Sequence, residues 1–110
     1  MKLFESAITG HLDIFATQNE DEFEGKKEHW SEISIHGDPE GLRSLANLLL
    51  KLADLDQESI ADLPAGAKGH YHLRRNIELS HSSDAVIVGR LDAKGTGAFY
   101  SRYIPKDRQD

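Results

Sequence analysis

Cysteine is absent from this chain. That excludes a disulfide framework and any thiolate zinc site, and it removes the need for an oxidising compartment. Long apolar runs are absent as well. The longest candidate, LANLLLKLADL, is broken by Asn47, Lys51 and Asp54, well short of the roughly 20 apolar residues of a membrane span. The first residues, MKLFESAITGHLDIF, lack the unbroken apolar stretch of a secretory signal. There is no internal repeat and no low-complexity tract. These absences predict a cytoplasmic protein with no membrane partner. Its 110 residues suffice for a single domain, residues 1–110, with a core that needs no staples.

A basic excess is also missing. Residues 1–40 carry ten acids and three bases, a net of −7; residues 41–69 carry four and three, a net of −1; residues 70–110 carry five and seven, a net of +2. The total is −6. Nucleic-acid binding depends on Lys and Arg neutralising phosphates, so an acidic surface predicts no nucleic-acid partner. It would instead steer in a basic protein.

What is present reads as α+β. Leu12 and Ile14 alternate with His11 and Asp13, as along a strand, within a strand-like stretch from Leu3 to Ala16. QNEDEFEGKKEH is highly charged and reads as a hairpin connection or loop. WSEISIHG alternates again, Ile33 and Ile35 against Ser34 and His36. The clearest element is a helix over about 38–55. Asp38 is a good N-cap, Pro39 suits the first helical position, and Glu40 suits the positive end of the helix dipole. Apolar residues then recur at 42, 45, 46, 48, 49, 52, 53 and 55, a wide stripe of helical period. Leu50 falls on the opposite face, as a lone exposed leucine or a contact with another chain. KGHYHL places Tyr71 and Leu73 inward, with His70 and His72 outward. IELS, AVIVGRL (covered on both faces) and AFYSRYI complete a mainly antiparallel sheet of five or six strands, with the helix packed on one face.

Catalytic constellations are scarce. His70 and His72 share a strand face about 7 Å apart. Zinc needs three or four protein ligands, and His36, Glu78, His81 and Asp84 offer no diagnostic spacing. An exposed polar face built from His70, His72, Arg74, Asn76 and Glu78 is the simpler account; a small metal-binding protein or enzyme using His70 and His72 is the alternative. Arg74 and Arg75 could grip a carboxylate or phosphate. SHSSD holds Ser, His and Asp in one turn, where a triad cannot converge, and no G-x-S-x-G elbow occurs. GTG lacks a Walker lysine. Glu20, Asp21, Glu22 and Glu24 do not follow calcium-loop spacing and read as a solvated acidic loop able to attract a basic partner. No enzyme activity and no cofactor is implied.

The succession ISIHGDPEGLRSLANLLLKLAD, GHYHL and LSHSSDAVIVGRL resembles the immunity protein 32 family of bacterial polymorphic toxin systems, over about Ser31 to Leu91. The resemblance implies a small, non-catalytic, cytoplasmic bacterial protein that binds and neutralises a cognate toxin; the acidic charge would suit a basic one, such as a nuclease. It transfers no binding residues. The expected contact surface therefore rests on the residues themselves: Glu20, Asp21, Glu22 and Glu24, with His70, His72 and Arg74.

Overall fold

The computed structural model describes residues 7–107. The charged segment expected as a hairpin connection or loop belongs to a hairpin, but nearly all of it is strand. Strands β1 (Leu12–Phe23) and β2 (Lys26–Gly37) form one long antiparallel ribbon, from Leu12 opposite Gly37 to Phe23 opposite Lys26. Glu24 and Gly25, both at positive φ, close it in a two-residue turn, the backbone that matches the right-handed twist of paired strands. Only Leu12 and Ile14 of the ribbon are buried. Beyond them the ribbon is solvated on both faces, so its charged side chains meet no obstacle. The Cα radius of gyration is 17.2 Å, against about 13 Å for a compact chain of this length.

The helix α1 (Pro39–Ala53) forms as its sequence predicts. Asp38 Oδ1 accepts from the Gly41 N–H at 2.7 Å and from the His11 N–H at 3.0 Å. One carboxylate thus caps α1 and fixes the start of β1. These two main-chain donors, His11 first, hold the Asp38 carboxyl below its usual range. The chain before β1 crosses the first turn of α1 so closely that a Cβ on Gly41 would lie 2.1 Å from the His11 carbonyl oxygen. At the other end of α1, Arg90 donates to the carbonyls of Leu52 and Leu55 at 3.1 and 2.7 Å while its other nitrogens hold Asp92.

After a short 3-10 turn (Gln57–Ser59), strands β3 (His70–Leu73) and β4 (Val86–Gly89) pair antiparallel. Leu45, Leu48 and Leu52 of α1 form one buried cluster with Leu12 and Ile14 of β1, Tyr71 and Leu73 of β3, and Leu79, with Val86 and Val88 partly covered against it. Among the described residues the architecture is α+β with one α-helix and antiparallel strands, but the strands are four, in two separate two-stranded ribbons, not five or six in one sheet.

The missing strands have local causes. In IELS, the N–H groups of Ile77, Glu78 and Leu79 all bond back to the Arg74 carbonyl and Asn76 takes a positive φ, so the segment is a turn. AFYSRYI folds over itself, with Phe99 edge-on to Tyr103 at 5.4 Å. AVIVGRL is covered on one face only, since Ile87 is exposed. Residues 3–6 of the stretch expected as strand-like from Leu3 lie outside the described residues.

Residues 80–84, expected as a simple turn, form a strap along the outer edge of β1. The N–H groups of Ser80 and Asp84 donate to the carbonyls of Leu12 and Ile14. Where the main chains diverge, side chains substitute. Ser83 Oγ accepts from the Ile14 N–H at 3.0 Å, and Asp84 Oδ2 from the Ala16 N–H at 3.1 Å. Ser44 serves Thr9 in the same way, and Gln57 joins the Gly69 N–H to the Asp92 carbonyl. These three residues, Ser44, Gln57 and Ser83, are the buried polar side chains among the described residues, and each completes main chain that no strand reaches, as a buried N–H or C=O requires.

Candidate functional site

The seven side chains expected to meet a partner fall into two groups on separate elements. Glu20, Asp21 and Glu22 lie at the far end of β1 and Glu24 in the turn, so the acidic run is the tip of a projecting ribbon. Opposite residues share a face: Glu20 with His29, Glu22 with Lys27, and Asp21 with Glu28. Lys27 Nζ lies 3.2 Å from Glu20 Oε1, and His29 Nδ1 lies 3.8 Å from Glu20 Oε2. These exposed pairs contribute little to stability. Both faces of the tip are mixed in charge: Glu20 and Glu22 share one with Lys27 and His29, and Asp21 and Glu28 share the other with Lys26 and Phe23. From Glu20 to Glu28 the tip holds five acids and two lysines.

Glu24 stands at φ 52, where a side chain other than Gly, Asn or Asp is disfavoured. The turn geometry would accept Asn more easily. Sequence reading missed this strain, because nothing in EFEGKK marked the two-residue turn as centred on Glu24.

The second group sits on the outer face of β3. His70 and His72 are exposed, their rings edge-to-face with centroids 5.0 Å apart, and His70 Nδ1 lies 2.8 Å from the Lys68 carbonyl oxygen. Arg74 does not continue this face. The strand ends at Leu73, and Arg74 instead grips Glu78, Nη2 to Oε1 at 2.8 Å and Nε to Oε2 at 3.3 Å, while its N–H donates to Oε2 at 2.8 Å. The guanidinium bond, with the backbone N–H beside it, pulls the Glu78 carboxyl from 4.5 to about 2. The single-parity face running from His70 to Glu78 is thereby corrected to His70 and His72 alone.

The other residues considered as ligands for the histidine pair are engaged elsewhere. His81 Nδ1 meets Asn76 Oδ1 at 2.9 Å, Asp84 serves Ala16, and His36 lies edge-on to Phe15 at 5.5 Å. Among the described residues no three His, Asp or Glu side chains gather where they could hold a metal ion. Nor do Ser, His and Asp of SHSSD converge: Ser83 faces β1, Ser80 and Ser82 donate to Asp13 Oδ1 at 2.7 and 2.8 Å, and His81 turns to Asn76. Those two hydroxyls hold the Asp13 carboxyl below its usual range.

Leu50 is exposed. With Asn47, Lys51 and Asp54 it lines a groove of about 910 Å³ on the side of α1 facing Thr9 and Tyr71. Among the described residues no helix is long and apolar enough to cross a membrane.

A family model described as immunity protein 32 matches residues 32–91. The matched segment runs from the second half of β2 through α1 and β3 to the end of β4; it contains His70, His72 and Arg74 and leaves out the acidic tip. No curated protein and no solved structure matches the chain.

Proposed function

The chain belongs to the immunity protein 32 family, and from that premise we propose that it binds a cognate toxin and neutralises it by occupying its surface, without catalysing a reaction. The observation that carries the contact surface is the ribbon tip. Glu20, Asp21, Glu22 and Glu24 are exposed on a two-stranded arm that no other element covers among the described residues. Such an arm presents carboxylates where a partner can surround them, and it suits a basic toxin approached under electrostatic steering. The strained backbone at Glu24 supports the same reading, since strain of this kind gathers at functional positions. His70 and His72 form a second, smaller contact, with Arg74 at its border, already paired to Glu78.

An affinity pull-down from the source cell tests the proposal, with the whole chain as bait at low and then moderate salt and mass spectrometry as readout. The expected result is one stoichiometric basic protein, weakened by salt and by Glu20→Lys, Glu22→Lys and Glu24→Lys together. A cognate toxin shown to be present yet not retained would overturn it. Retention that is indifferent to the triple reversal would move the contact off the tip.

A further inference from the structure

The outer edge of β2 has a sequence that fits itself. No residue of β2 is buried, and no strand lies beyond it among the described residues. The direction of its main-chain groups follows from β1. Leu12, Ile14 and Ala16 use theirs on the strap, so Asp13, Phe15 and Thr17 bond across to His36, Ser34 and Glu32. That leaves Ile33 and Ile35 with N–H and C=O turned to the open edge. Their side chains are 65% and 53% exposed, on the face of Leu12 and Ile14 that carries α1.

Exposed edges invite pairing, and proteins guard them with lysine. Lys26 and Lys27 guard the far half of β2, but Ser31–Gly37 holds no lysine. Within it, Glu32-Ile33-Ser34-Ile35-His36 reads as its own antiparallel complement. A two-fold axis through Ser34 sets Ile33 opposite the partner's Ile35, Ile35 opposite the partner's Ile33, and each Glu32 opposite the other copy's His36. Glu32 Oε1 already accepts from Asn19 and Trp30 at 2.9 Å each, and Oε2 is directed to neither. The isoleucines are then the hydrogen-bonded pairs and each brings both its N–H and its C=O.

We propose that β2 pairs with β2 of a second copy through Ser31–Gly37, centred on Ser34, giving a four-stranded antiparallel sheet and a two-fold dimer. Four isoleucines meet on the side of the two helices. There Leu42 lies over Gly37, its Cγ 3.2 Å from where a Cβ on that residue would stand, and with Leu49 it continues an exposed apolar stripe of α1. Strand pairing with aligned isoleucines and polar pairs of carboxylate and imidazole supplies cross-strand stability, and an isologous contact closes on itself rather than growing into fibres.

Sedimentation velocity on the full chain tests this, with two single-cysteine variants made possible by the absence of native cysteine. A non-hydrogen-bonded pair brings Cα atoms to about 4.5 Å, within disulfide range. Ser34→Cys is therefore expected to oxidise to a covalent dimer and Ser31→Cys, displaced from the axis, to stay largely unlinked. Glu32→Lys is expected to weaken the dimer about tenfold, and Glu32→Lys with His36→Glu to restore it. A chain that sediments as a monomer throughout, or a dimer in which Ser34→Cys does not link, overturns the proposal. The same holds if this edge is protected from hydrogen exchange only when another protein is added.

Discussion

The Ser83 hydroxyl closes the main chain of Ile14, a residue 69 positions earlier: it accepts from the Ile14 N–H at 3.0 Å and lies 2.9 Å from the Ile14 carbonyl oxygen. Ser83 is 2% exposed, so water cannot replace it. Ser83→Ala strands a buried N–H and is expected to lower stability by about 1–3 kcal/mol. Urea unfolding checks this, with Ser101→Ala, at an exposed position, expected to stay within about 0.5 kcal/mol of the parent. Equal midpoints for the two variants would contradict the role given to the strap.

Gly41→Ala reverses the usual rule. Inside a helix, alanine is favoured over glycine by about 1 kcal/mol. Here the new Cβ would lie 2.1 Å from the His11 oxygen, and backbone must move. The expected outcome is a loss of about 1–3 kcal/mol, read from thermal or urea unfolding. A gain would mean that the crossing over the first turn is looser than described.

The Arg74–Glu78 clamp sets an acid limit. Glu78 is an acid whose folded value, about 2, lies below its ordinary 4.5. Its contribution is present above pH 4.5 and is lost as pH falls toward 2. Asp13, Asp38 and Asp92 are shifted the same way, so unfolding free energy should decline across this window. Glu78→Gln is expected to flatten part of that decline and leave the remainder, as measured by urea unfolding at stepped pH.

Glu24→Asn separates stability from binding. Asparagine tolerates the positive φ at this position, so the variant is expected to unfold at higher temperature than the parent. The same change removes a carboxylate from the tip and is expected to weaken toxin binding at low salt. A variant that gains stability and binds unchanged would remove Glu24 from the contact.

The helix and the inward and outward sides of β3 were legible because each is set within a few residues: Asp38 and Pro39 start α1, and period two decides the sides of Tyr71 and His72. The ribbon was not. Charge argued for a hairpin connection or a loop in QNEDEFEGKKEH, so the turn was in view but not the length of the strands; a two-stranded ladder needs only main chain and a turn, and its side chains are free to be polar. The wide stripe of α1 was read as one covered face, whereas only Leu45, Leu48 and Leu52 are buried and Leu42 and Leu49 remain exposed. The strap was hidden for a different reason. Serine signals a turn whenever its hydroxyl bonds nearby, and its use on a strand 69 residues away leaves no mark in local pattern. Of the candidate site, the residue identities were readable, but the tip geometry, the strain at Glu24 and the capture of Arg74 by Glu78 depend on how the chain returns on itself.

That return has a consequence for birth of the protein on the ribosome. The ribbon and α1 use contacts close in sequence and can form as they emerge. The outer edge of β1, however, waits for Asp84, 68 residues beyond Ala16. At about 5–20 residues per second that is an interval of about 3–14 s, during which the nascent chain carries an open strand on each side of its first hairpin. Emergence of residues 80–84, rather than formation of the hairpin, sets when the outer edge of β1 is closed.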